Sequence, residues 1–70
     1  MSRQHPDAAE IGRRLRELRG LRNQQEIADH IGVTVSTIGM YERGERVPSD
    51  QAKIVLADYF GKTVQEIFFD

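Results

Sequence analysis

The stretch from Gln24 to Arg43, QQEIADHIGVTVSTIGMYER, constrains this chain more than any other feature. Two short helical patterns meet there across a turn of about three residues that contains Gly32. Asn23 and Thr34 stand where the two helices would begin, and each can cap first-turn amides with its side-chain oxygen. Gly32 stands where the turn needs a left-handed backbone that other residues adopt at a cost. Ala28 is small where the second helix must approach the first closely, and Ile38 then locks the two together.

The flanking segments supply what such a pair needs in order to bury itself. Residues 1–6 read as a flexible tail ending in Pro6, and residues 7–70 as one domain. Asp7 caps a first helix, with Glu10 three residues on, and Ile11, Leu15 and Leu18 recur at helical spacing before Gly20 ends it. Gly44 to Pro48 is a loop. Ser49 caps a fourth helix with Ala52, Val55, Leu56, Tyr59 and Phe60 on its apolar face, broadened by Ile54 and Ala57, and Gly61 closes it. Thr63 and Glu66 form a capping box for a last short helix holding Val64, Ile67 and Phe68. Five short helices with tight connections and no alternating pattern predict an all-α fold, a compact five-helix bundle. No internal repeat, low-complexity tract or linker divides it.

Composition removes several classes of function. There is no cysteine, so neither a disulfide framework nor a thiolate metal site is expected, and His5 and His30 have no zinc-site spacing. The chain has no nucleophile–base motif and no glycine-rich phosphate loop, so an enzyme is not expected, nor a cofactor or small-molecule ligand. Without a membrane-spanning run or a secretory signal, the expected location is the cytoplasm. The net charge is −1, but it is unevenly spread. Residues 1–22 carry six arginines against Asp7, Glu10 and Glu17, whereas residues 23–46 and 47–70 are each acidic. A basic beginning and an acidic end can present one face to a polyanion.

The spacing in residues 24–43 is that of a DNA-binding helix-turn-helix. The chain also resembles the Xre-type regulators, the family of phage lambda repressor and Cro. The resemblance runs from about residue 11 to residue 68. Its matching pieces are IGRRLRELR from Ile11, QxxIA from Gln24, IGVT from Ile31, and STIGMYERGERxPS from Ser36 to Ser49. Resemblance implies a lambda repressor-like five-helix fold in which helix 35–42 enters the major groove of double-stranded DNA. It also implies a sequence-specific transcriptional regulator, more often a repressor. In similar proteins an arginine of the first helix pairs with the glutamate ending the recognition helix, here Arg19 and Glu42.

The candidate DNA-binding residues follow from that placement. Gln24 is a phosphate contact by resemblance, aided by free amides at its helix terminus. Ser36 and Thr37 can present hydroxyls to a base edge or phosphate, although Thr37 can equally reinforce the Thr34 cap. Val35 and Met40 can touch thymine methyl groups or simply be solvated. Gly39 lets DNA approach closely, or is merely tolerated at about 1 kcal/mol relative to alanine. Arg43 and Arg46, flanking Gly44, read as phosphate clamps, with Arg13, Arg14 and Arg22 as further basic candidates.

Adjacent Phe68 and Phe69 point about 100° apart on a helix, so one is expected to be exposed as a homodimer contact, or else to fold over the core. A dimer would read a two-fold symmetric operator. The rival reading is a protein-interaction module on the same fold without specific DNA binding. It is favoured by the nearly uncharged face of Val35, Ser36, Gly39 and Met40 and by the acidic second half.

Overall fold

In the computed structural model, which describes residues 6–69, every helix starts at the cap its sequence marks. The helices are α1 (Ala8–Arg19), α2 (Gln24–Ile31), α3 (Val35–Glu42), α4 (Asp50–Phe60) and α5 (Val64–Phe68). The Asp7, Asn23, Thr34, Ser49 and Thr63 side chains accept from the amides of Glu10, Glu26, Thr37, Ala52 and Glu66 at 2.8–3.2 Å. The full reciprocal capping box closes at α5, where Thr63 N–H donates to Glu66 Oε1 at 2.9 Å. At α1 and α2 the matching glutamates are drawn elsewhere: Glu10 accepts from Arg13 and Arg14, and Glu26 from the Tyr59 hydroxyl. The tail assigned to residues 1–6 lies outside the described residues except for Pro6.

The core is one cluster of Ile11, Leu15, Ile27, Ala28, Ile38, Tyr41, Leu56, Ala57, Ile67 and Phe68. α1 lies against α3, α2 and α3 form the corner, and α5 closes the bundle across α1 and α4. Ala28 is completely buried in the corner, as its small size requires. Gly32 is left-handed (φ 79°, ψ 34°) and its N–H bonds back to Ala28 O, which stops α2 and turns the chain toward α3.

Two sequence expectations are corrected here. Ile54, expected to broaden the buried stripe of α4, is 56% exposed. Leu56 takes the core side, so Ile54, two residues before it, falls on the opposite face, one turn before Asp58. Phe68, a candidate exposed aromatic for a dimer contact, is 2% exposed and belongs to the core. Phe69 is half-buried against that core, and the Lys53 ammonium sits 5.7 Å and 5.4 Å from the centroids of the Phe68 and Phe69 rings. Phe68 thus folds into the core, whereas Phe69 keeps part of its surface exposed.

Gly12 is a requirement that periodicity did not reveal. A Cβ there would stand 2.6 Å from Tyr41 O and closer still to Glu42 O, so α1 and the end of α3 touch backbone to backbone. That contact fixes how far α3 projects from the bundle.

Candidate nucleic-acid interface

α3 turns one side to the core and the other outward. Ile38 and Tyr41 are buried, whereas Val35 and Ser36 are exposed and Met40 is half-buried. Positions 36, 39, 40 and 43 recur at i, i+3, i+4 and i+7 and therefore share the outward side.

A polar knot anchors this helix at its C-terminal end. Arg19 of α1 grips Glu42 with both prongs, Nε to Oε2 at 2.6 Å and Nη2 to Oε1 at 2.9 Å, and its Nη1 donates to Arg22 O. Gln24 of α2 adds Nε2 to Glu42 Oε1 at 3.0 Å. The Glu42 side chain is 6% exposed and that of Arg19 20%. The pair anticipated by resemblance is thus a forked, mostly buried ion pair that ties α1, α2 and α3 together. Burial pushes the Glu42 carboxyl up, but hydrogen bonds from Arg19 and Gln24 and the charges of Arg19 and Arg16 outweigh it and hold it below its ordinary value.

Gln24, Gly39 and Arg43 occupy places that the sequence did not foresee, whereas Thr37 takes one of its two expected roles. The Gln24 side-chain amide faces inward to Glu42, so the backbone amides at the start of α2 are what remain directed outward from this end. Thr37 is half-buried, its N–H bonded to Thr34 Oγ1 at 3.1 Å and its hydroxyl 3.0 Å from the same oxygen, which is the cap-reinforcing arrangement. Gly39 is covered rather than open, because the Arg43 guanidinium lies across it. Arg43 is held by Glu45, Nε to Oε2 at 2.8 Å and Nη2 to Oε1 at 3.3 Å. Arg46 is exposed and makes no ion pair among the described residues.

Several arginines of the basic segment are engaged within the molecule. Arg13 bonds Glu10 and Glu17, and these contacts, chiefly those of Arg13 and then Arg14, hold the Glu10 carboxyl at about 2. Arg14 bonds Glu10 and the carbonyls of Glu66 and Ile67, fastening α5 to α1. Arg22 lies over the rings of Tyr59 and Phe60, 5.4 Å and 5.9 Å from their centroids. The Arg13 and Arg14 pairings with Glu10 and Glu17 lie within α1 at i,i+3 and i,i+4 spacings, whereas the partners of Arg22 and the carbonyls that Arg14 reaches lie on other helices, and Glu45 stands at an i,i+2 spacing from Arg43 that no helical pattern marks. No group of His, Asp or Glu among the described residues could hold a metal ion.

Comparison with known proteins agrees with this geometry. A helix-turn-helix family model matches residues 13–67. The HTH-type transcriptional regulator AnsR of Bacillus subtilis (strain 168) is 45% identical over 56 residues, 77% of this chain and 48% of the relative. The chain therefore spans about half the length of that curated relative. The restriction-modification controller protein C.AhdI from Aeromonas hydrophila superposes with a TM-score of 0.77 at 36% identity, over 87% of this chain and 96% of that one. The P22 c2 repressor in complex with a synthetic operator gives 0.78 at 22% identity, over 81% and 89%, a likeness of fold. With the family model covering most of the chain, from α1 into α5, this protein belongs to the Xre-type, lambda repressor-like helix-turn-helix family of transcriptional regulators.

Proposed function

We propose that this protein is a sequence-specific DNA-binding regulator, more specifically a repressor, that lays α3 in the major groove. The observation that carries this reading is the posture of α3. It is braced at one end by the Arg19–Glu42–Gln24 knot and turns Val35, Ser36, Met40 and the Arg43 guanidinium outward together. Ser36 offers a hydroxyl to a base edge, Val35 and Met40 offer apolar contact to thymine methyls, and Thr37 supports their turn. The start of α2 at Gln24 and the exposed Arg46 are placed to hold phosphates on either side. Such binding acts in the cytoplasm and involves no catalysis. No helix among the described residues is long and apolar enough to cross a membrane.

Two copies fit the task better than one. A helix of eight residues is about 12 Å long, roughly three to four base steps, too few to define a rare site. A two-fold pair would read half-sites about 34 Å apart. Besides Leu21 and the groove-side Val35, the exposed large apolar side chains among the described residues are Val47, just before α4, and Ile54 on it, and this neighbouring pair is the one proposed for that contact.

Selection from random duplexes at one fixed moderate salt tests the reading, with an Arg43→Glu, Arg46→Glu double variant alongside. An enriched two-fold motif that the variant loses is expected. Failure of both proteins to enrich any motif would return the fold to the protein-interaction reading.

A further inference from the structure

We infer that Arg43 is a base-reading residue aimed at guanine, with Glu45 as its positioning residue and Gly39 as its seat. The inference deepens the DNA-reading role proposed above and rests on it. A side chain at the end of a helix leans back toward the N-terminus. Arg43, the C-cap of α3, does so over a full turn: a Cβ on Gly39 would meet its Nη1 at 2.8 Å and its Cζ at 3.6 Å. The cation therefore lies midway along the outward side of α3, between Ser36 and the loop, and not out at the flank where a phosphate clamp would stand.

Glu45 decides which edge of the guanidinium is presented. Its carboxylate takes Nε and one hydrogen of Nη2. Of the remaining donors, one hydrogen of Nη1 and the outer one of Nη2 form the end-on edge, and they bond nothing among the described residues. That edge matches the O6 and N7 acceptors that guanine shows in the major groove. The pairing also makes the group nearly neutral, which weakens it as a general attractor of phosphate while leaving directed hydrogen bonds intact. Glycine at position 39 has a reason here, since any side chain would lift the fork from its seat.

The test compares the full chain with Arg43→Lys, Glu45→Gln and Gly39→Ala in the same duplex selection, followed by titration of the recovered site with single-base changes. Lysine keeps the charge but loses the fork. Arg43→Lys is expected to flatten the guanine preference at one position per half-site by about 5- to 150-fold, leaving the other positions unchanged. Gly39→Ala, which leaves the helix intact, should lose the same position. Glu45→Gln should bind all duplexes at least as tightly yet discriminate less there. A motif recovered in full by Arg43→Lys overturns the assignment while the DNA-reading role stands. A wild-type chain that enriches no motif overturns both.

Discussion

Glu42 joins three helices through one carboxylate, and its removal strands a guanidinium. A fully buried pair loses about 3–5 kcal/mol when one partner goes. Arg19 keeps a fifth of its side chain in water, so Glu42→Ala is expected to cost less, about 2–3 kcal/mol, read as a drop in the denaturant midpoint. The pair also sets an acid limit. Its folded carboxyl lies below the ordinary 4.5, so its stabilisation is complete above that value and is lost as pH falls through the depressed folded one. Wild type should therefore weaken below about pH 4.5, and Glu42→Gln should show a shallower decline in denaturant midpoint over the same range. Gly12 is the other residue whose effect reaches beyond itself. Gly12→Ala places a methyl against the carbonyls of Tyr41 and Glu42 and should destabilise by about 1–3 kcal/mol or more, against the usual benefit of alanine in a helix. A variant as stable as wild type would show that α1 and α3 can separate without loss.

At the scale of the element, α3 is a poor helix on its own. It has eight residues, among them Gly39 and the β-branched Val35, Thr37 and Ile38. Nucleating so short a helix is unfavourable in water, so its order comes from Ile38, Tyr41 and Glu42 docking on the bundle. A peptide of residues 24–43 should accordingly show little helical circular dichroism, whereas the whole chain is strongly helical. Strong helicity in that peptide would mean that local propensity holds the corner. The starts of the elements were legible because a cap acts within three residues of its own position, and Thr34 reaches only to Thr37. The exposed side of α4 was not, because Ile54 and Leu56 carry similar hydropathy and only the placement of α2 and α5 decides which is covered.

For the whole molecule, the internal pairing of Arg13, Arg14, Arg19 and Arg22 leaves a smaller cationic surface than six early arginines suggest. Affinity for the selected duplex should still fall with salt, the logarithmic slope being about −0.9 per phosphate neutralised, and binding indifferent to salt would contradict phosphate anchoring. The exposed Ile54 locates the proposed two-fold contact. Ile54→Glu should shift sedimentation from dimer to monomer and weaken operator binding while leaving the thermal midpoint of the isolated chain nearly unchanged. A wild-type protein that sediments as a monomer and binds one copy per site would remove the dimer from the reading.

The sequence by itself determined the helices, their caps, the corner at Gly32 and the Arg19–Glu42 pairing. These depend on local hydrogen bonding, on a left-handed turn and on a motif whose order along the chain is its signature. Tertiary structure alone decided which aromatic of the Phe68–Phe69 pair was buried, why Gly12 is glycine, and where the arginines point. The physical reason is the same in each case. Burial is settled between helices distant in sequence, and a flexible arginine such as Arg14 or Arg22 takes whichever carbonyl or ring the fold brings within reach.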